Sequence, residues 1–321
     1  MTAFVAPEQL EEARRCVARH AHRTPVLASR LLDEETGFRV ALKAEMFQRT
    51  GSYKIRGALN KLRTLSDEQR RRGVVCSSAG NHAQGVALAA ALSGVRAVVV
   101  MAANATPAKV AATRAYGAEV VLHGAIWDDA NDHALELAAA DGMAYVHPFD
   151  DLDLIAGQAS LGLELVEDVP DVDVVVVPIG GGGLISGVAL AVKARRPGTR
   201  VIGVESSGAP GMRESVRAGR PVSLERVDCV IDGLRVRRVG ETTCRIVGAC
   251  VDDIVTLPDE EIFESVLWLM SRQKLVAEGA AAATVAALRR GLVAAAPGAR
   301  VACVLSGGNL GLDRLRGSSW N

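Results

Sequence analysis

The chain has 321 residues, 49% of them hydrophobic, and its 37 basic and 37 acidic side chains cancel to no net charge. That length supports two domains or one large α/β unit with a sizeable buried core, which needs no disulfide or metal staple. Balanced charge leaves no electrostatic footprint for nucleic acid or an anionic membrane, and no apolar run reaches membrane-spanning length without Gly or a charge.

The start, Met1-Thr-Ala-Phe-Val-Ala-Pro7, lacks a basic segment followed by an apolar stretch. Cys16, Cys76, Cys229, Cys244, Cys250 and Cys303 form no CxxC pair. A cytoplasmic protein with reduced, mostly buried thiols and a small-molecule partner is expected.

The first segment with chemical content is Phe47-Gln-Arg-Thr-Gly-Ser-Tyr-Lys-Ile-Arg-Gly-Ala-Leu-Asn60, which sets Lys54 between an aromatic ring and a glycine. Only six of the 37 basic side chains are lysines, so an amine stands where the rest of the chain prefers arginine. Lysine forms Schiff bases and arginine does not. A solvated lysine opening an amphipathic helix explains this segment equally well.

Val74-Val75-Cys76 opens a series of strand, helix, strand, helix, strand, helix that runs to Tyr145, with Ala97 to Met101 and Glu119 to Leu122 as its next strands. Between the first strand and its helix lies Ser78-Ala79-Gly80-Asn81-His82. Its amides, with Ser78, Asn81 and His82, can cup a carboxylate, although an Asn or Ser helix cap uses the same N–H groups. His82 is given no proton-transfer role, and His20, His22, His123, His133 and His147 lack zinc spacing. Trp127, in Gly124-Ala-Ile-Trp-Asp-Asp129, falls in a segment that can close over a substrate, with core packing as the plainer reading.

Pro148 and Asp150-Asp-Leu-Asp153 mark a crossover, and a second series follows with strands at Val172 to Val177, Val201 to Val204 and Val301 to Leu305. Valine-rich runs separated by helices predict parallel strands covered on both faces, in two sheets. The predicted organisation is a large unit of residues 1–72 and 148–321, interrupted by a small one at 73–147.

In Pro178-Ile-Gly-Gly-Gly-Gly-Leu-Ile-Ser-Gly187, four glycines link a strand to a helix and can bring several N–H groups to a phosphate. A tight turn is the alternative, at a backbone-entropy cost. The run is neither a P-loop nor a dinucleotide fingerprint. Ala277 to Ala287 predicts a buried helix. In Leu305-Ser-Gly-Gly-Asn309 the strand ends in a hydroxyl, Ser306, which is also a plausible N-cap. Ligands collect at such strand ends in open α/β sheets. An amine, a phosphate cradle, a carboxylate cup and a hydroxyl together meet the needs of pyridoxal phosphate and an amino acid.

These segments, in this order and over nearly the whole chain, resemble the fold-type II pyridoxal-phosphate enzymes, in particular the threonine/serine dehydratase and serine racemase group. The resemblance implies an α/β fold like that of the tryptophan synthase β subunit, with two open, twisted, mostly parallel sheets flanked by helices and the cofactor in the cleft. Its most specific piece is Thr50-Gly-Ser-Tyr-Lys-Ile-Arg-Gly57. There Lys54 matches the Schiff-base lysine and Cα base, and Tyr53 an aromatic that is usually phenylalanine. By the same resemblance Asn81 meets the cofactor's phenolic oxygen, Gly180, Gly181, Gly182, Gly183 and Leu184 hold its phosphate, Ser306 faces its pyridine nitrogen, and Gly233 lies near its ring. Ser78, Ala79, Asn81 and His82 border the substrate carboxylate. Glu278 approaches the substrate hydroxyl, with a helix cap as its other reading.

A serine beside the ring nitrogen leaves the pyridine unprotonated and a weaker electron sink, which suits β-elimination better than transamination. The implied activity is dehydration and deamination of a β-hydroxy L-amino acid of the threonine/serine type to a 2-oxo acid and ammonia. Racemisation or β-replacement is the alternative. Serine racemase has a second serine where Ala79 stands, so elimination is expected to exceed racemisation. Glu205 and the Ala209 carbonyl fall where relatives bind Mg²⁺ or Ca²⁺, but Gly211 replaces the second acid, and an unoccupied surface turn reads as well. The family also implies a homodimer or homotetramer, and the chain ends too soon after Ser306 for a C-terminal regulatory domain to be expected.

Overall fold

The computed structural model describes residues 4–311. Its strands are β1 (Val26–Ala28), β2 (Arg39–Ala44), β3 (Val74–Ser77), β4 (Ala97–Met101), β5 (Glu119–Leu122), β6 (Ala144–Tyr145), β7 (Val174–Pro178), β8 (Arg200–Ser206), β9 (Asp253–Leu257) and β10 (Arg300–Leu305). They form two sheets, as the sequence predicts: six strands in the order β1-β2-β10-β7-β8-β9 and four in the order β5-β4-β3-β6. All pairings are parallel except β1 with β2.

The helices are α1 (Pro7–Ala18), α2 (Arg30–Thr36), α3 (Lys54–Arg63), α4 (Asp67–Arg72), α5 (Asn81–Ser93), α6 (Pro107–Ala115), α7 (Trp127–Asp141), α8 (Leu152–Asp168), α9 (Gly183–Arg195), α10 (Gly211–Ala218), α11 (Glu241–Cys250), α12 (Asp259–Trp268) and α13 (Gly279–Arg289). None is long and apolar enough to cross a membrane among the described residues.

Side-chain alternation places each strand between two helical layers. Along β10, Val301, Cys303 and Leu305 join the α13 core, whereas Ala302 and Val304 join the core under α8, α9 and α11. Helix α13 is buried from Gly279 to Leu288, in line with its alanine-rich sequence. In the smaller sheet, Cys76 and Val99 face α3 and α5, while Val75, Val98 and Val100 face α7. Each such valine contributes roughly 1.5–3 kcal/mol on burial. All six cysteines are free, and every one but Cys16 is buried.

Three segments are tied together by buried charge. The Arg56 guanidinium, fully buried in the first turn of α3, bonds both oxygens of Glu45 at 2.8 Å and both oxygens of Glu164 at 2.7 and 2.9 Å. It also reaches Ser160 Oγ at 3.2 Å. Lys43, buried on β2, donates to Glu164 at 2.9 Å and to the Thr24 carbonyl at 2.8 Å. Burial alone would raise the Glu45 carboxyl pKa, yet pairing with Arg56 holds it below the ordinary value. The network fixes α3 against the end of β2 and against α8. Removing one partner of such a buried set leaves an uncompensated charge, so Arg56→Met is expected to cost about 3–5 kcal/mol in urea unfolding.

Candidate active site

Five loops far apart in sequence meet at the carboxyl ends of β3, β7 and β10. Lys54 opens α3 behind Tyr53, which stands at the cap position without a side-chain cap. The lysine is half-buried, its Nζ 2.8 Å from the Pro148 carbonyl oxygen and 5.4 Å from the centre of the Tyr53 ring. Burial lowers its pKa to about 8, against an opposing pull from Glu278. It is therefore a partly buried amine of lowered pKa, not the solvated lysine of its plainer sequence reading.

Tyr53 N–H donates to the Ser306 carbonyl at 3.1 Å, Ser52 and Gly307 form a β-bridge, and Gly308 N–H donates to the Gly51 carbonyl at 2.9 Å. The β10 end thus lies beside the lysine loop. Ser306 is buried, and no helix follows it within the described residues, which removes the N-cap reading.

Phe149 links the lysine to the glycine run. It follows Pro148 and lies against Gly181, so close that a Cβ there would come within 2.2 Å of its ring. A Cβ on Gly180 would come within 2.3 Å of the Gly233 carbonyl oxygen, which sets Gly233 against the cradle. Gly182 has φ +92° and stands at the start of α9 without a side-chain cap, and Leu184 is buried in that helix's first turn. The Thr243 hydroxyl fixes the run by donating to the Gly181 carbonyl at 2.9 Å.

The Ser78–His82 turn is not closed by a side-chain cap. Gly80 occupies the cap position of α5, and Ser78 Oγ accepts only the Gly80 N–H, at 3.2 Å. Ala79 packs partly buried against the α3/α5 core. His82 donates through Nε2 to the Val146 carbonyl at 2.9 Å, and burial pushes its pKa to about 3. It is a neutral structural histidine.

Asn81 Nδ2 donates to both Glu278 oxygens, at 2.8 and 3.0 Å, and Asn81 Oδ1 accepts from Asn309 at 2.7 Å. Asn309 also donates to the Thr50 carbonyl at 2.8 Å. Glu278 stands at the cap position of α13 but makes no side-chain cap bond there. Burial raises its carboxyl pKa and the Asn81 amide pulls it back. The carboxylate therefore faces the cleft network instead of its own helix.

Glu205 is fully engaged elsewhere. Its two oxygens accept the Met212 and Arg213 N–H groups at 2.8 and 2.9 Å, capping α10, and burial raises its pKa to about 7. Ala209 is buried beside it. Among the described residues no three His, Cys, Asp or Glu side chains converge to hold a metal, so the cation reading of Glu205 and Ala209 gains no ligand cluster.

Sequence reasoning missed Phe149, Thr243 and the bridging role of Asn309. Only Asn309 carried a signal, through its place in the Ser306 turn.

The amine, the glycine cradle and the uncapped turns suit a phosphorylated aldehyde, and two buried hydroxyls, Ser52 Oγ in the lysine loop and Ser186 Oγ in the first turn of α9, have no partner. The family profile described as pyridoxal-phosphate-dependent enzyme matches residues 17–307. The chain belongs to the pyridoxal-phosphate-dependent enzyme family. It is 47% identical over 312 residues to the L-threonine ammonia-lyase of Thermotoga maritima, covering 97% of this chain and 77% of that one. It is 44% identical to the catabolic L-threonine dehydratase of Escherichia coli, over 97% and 95% of the two chains. Among solved structures, maize serine racemase superposes with a TM-score of 0.92 at 36% identity, over 96% of this chain and 95% of that one. The neighbours are fold-type II enzymes, and the mixed and parallel sheets agree with that class.

Two outcomes follow for this pyridoxal-phosphate enzyme. Gly180→Ala forces a Cβ against a main-chain carbonyl, a strain of about 1–3 kcal/mol, so the apo-protein is expected to take up pyridoxal phosphate about tenfold or more weakly in an absorbance titration. Lys54 holds fewer protons folded than unfolded between about pH 8 and the ordinary lysine pKa of roughly 10.4, so apo-protein stability gains from this group as pH rises through that window. Lys54→Met should therefore stabilise the apo-protein most below pH 8, with the advantage shrinking toward pH 10.5, in urea melts at each pH.

Proposed function

We propose that the protein dehydrates and deaminates a β-hydroxy L-amino acid, with L-threonine as the first candidate and L-serine as the second. The net change is threonine to 2-oxobutyrate and ammonium, water being lost and regained. The observation that carries this reading is the half-buried, low-pKa amine of Lys54 at the junction of the glycine run, the Ser78–His82 turn and Ser306. The names of the relatives at 44% and 47% identity support the choice of substrate.

Bound pyridoxal phosphate would supply an aldehyde for amines and a ring that draws electron density from Cα. Lys54 would hold it through its amine, Gly180 to Gly183 and Leu184 through backbone N–H groups at its phosphate, Asn81 at its phenolic oxygen and Ser306 at its ring nitrogen. Tyr53 and Gly233 would border the ring. The Ser78–His82 turn would take the substrate carboxylate through amides other than that of Ser78, which bonds the Val100 carbonyl, with Ala79 in that turn. Lys54 would take the Cα proton, and its burial, which lowers the pKa to about 8, favours the neutral amine that a base requires. Glu278 holds the Asn81 amide by accepting from its Nδ2. The four-stranded unit, residues 73–147, would close over the substrate.

Ala79 argues against racemisation, because its methyl has no proton to deliver to the far face of Cα. No step in this reading calls on a cation at Glu205.

The test is the purified holoenzyme with L-threonine and L-serine, read by 2-oxo acid release, beside Lys54→Ala. Wild type should show a visible cofactor band and release 2-oxo acid. The variant should lose the lysine-linked band and at least about 10³-fold in turnover, the scale expected when a base that also serves as nucleophile is removed. D-Serine should not accumulate. A colourless protein, or a Lys54→Ala variant as active as wild type, would overturn the reading.

A further inference from the structure

Strand β3 bonds its neighbour β6 in a regular row. The Gly73 carbonyl accepts the Ala144 N–H at 3.0 Å and the Val75 carbonyl accepts the Val146 N–H at 2.8 Å. The next acceptor in that row is the Ser77 carbonyl, and the next donor position is residue 148. That residue is proline, which has no N–H to give. The opposite row offers no substitute, since Ser78 N–H bonds the Val100 carbonyl of β4 at 3.1 Å. Ser77 is fully buried, and a buried carbonyl left without a donor carries a desolvation penalty.

The missing donor comes from Trp127. Its indole Nε1 stands 3.3 Å from the Ser77 oxygen. The indole is held in place by the chain around it, because the Asp129 carboxylate accepts the Ala125 and Ile126 N–H groups at 2.8 and 3.2 Å and so fixes the entry to α7. The side chain is otherwise surface-like, 47% exposed. Packing therefore accounts for only part of its presence, and the hydrogen bond accounts for its placement.

We propose that Trp127 is a positioning residue: its indole N–H replaces the rung that Pro148 removes and so fixes the end of β3 from which the Ser78–His82 turn departs. The consequence for substrate rests on the reading of that turn as the carboxylate cup. Pro148 cannot simply regain the N–H, since its carbonyl faces Lys54 and its ring sets the chain's exit from β6. The brace is supplied from α7 on the outer face of the small sheet, opposite α5. Trp127 touches the turn's strand without belonging to the turn.

The experiment uses the holoenzyme of wild type and Trp127→Phe, which keeps an aromatic ring and removes only the donor. Hydrogen exchange read by mass spectrometry should quicken about 5- to 10-fold in the peptide covering residues 77–82, the scale of one lost hydrogen bond, with α3 and the large sheet unchanged. KM for L-threonine should rise about 5- to 10-fold by the same bond energy, with kcat within about twofold and the visible cofactor band retained. Trp127→His, which can again present a ring N–H, should recover part of both changes.

Unchanged exchange in that peptide overturns the brace. Faster exchange with unchanged KM overturns the link to substrate, and so does a KM rise matched by falling kcat and a fading cofactor band, which is general loosening. The exchange readout needs no substrate. If wild type fails to act on threonine or serine, the proposed function falls and the exchange result alone still decides the brace.

Discussion

Arg56 is held by two carboxylates that come from different elements, Glu45 at the end of β2 and Glu164 on α8, with all three side chains buried or nearly so. A guanidinium suits this place because its planar fork can pair two carboxylates at once. It lies two residues after Lys54, in the same helical turn. The amine that the site depends on is therefore rooted in a frame that cannot shift without exposing charge to an apolar interior. Lys43 completes the balance by pairing with Glu164 and Asp168.

With that turn fixed, the site can be built largely from backbone. The glycine run, the Ser78–His82 turn and the Ser306 turn all follow strand ends, where the ladder runs out after its last rungs, such as Ser78 N–H to the Val100 carbonyl and Ile179 N–H to the Val204 carbonyl. None of the helices that begin at the site, α3, α5 and α9, has a side-chain cap. Pro148 serves twice in this arrangement. Its carbonyl accepts from the Lys54 amine, and its lack of an N–H breaks the β3–β6 ladder at the point where the carboxylate cup begins.

The sequence made the valine-rich strands β3, β4, β7, β8 and β10 legible because both faces of each are covered, which leaves long apolar runs, and it also showed β5, a half-exposed edge, through its short apolar run. It did not reveal β2, since Arg39-Val-Ala-Leu-Lys-Ala44 contains a lysine that reads as surface and is buried only because Glu164 meets it. Strand β9 is a half-exposed edge, β6 has two residues, and β1 has three, too short for a periodic signal. Among site residues, Lys54, the four glycines and the Ser78–His82 turn announced themselves through unusual local composition. Phe149 and Thr243 did not, because an ordinary aromatic and an ordinary threonine gain their roles only by what they touch.

The sequence by itself determined the chemistry on offer: a lysine in a glycine-flanked turn, a four-glycine run after a strand, and alternating apolar segments that must form covered parallel sheets. Those are local properties of backbone freedom and side-chain type. Only the tertiary structure decided that Lys54 is a half-buried amine with lowered proton affinity and not a solvated one, that Glu278 faces Asn81 and not its own helix, that Glu205 caps α10, and that an indole from α7 supplies the donor missing at Pro148. Each of those depends on burial and on partners up to about two hundred residues away in the chain, as with Asn81 and Glu278, and desolvation and long-range pairing have no signature in local sequence.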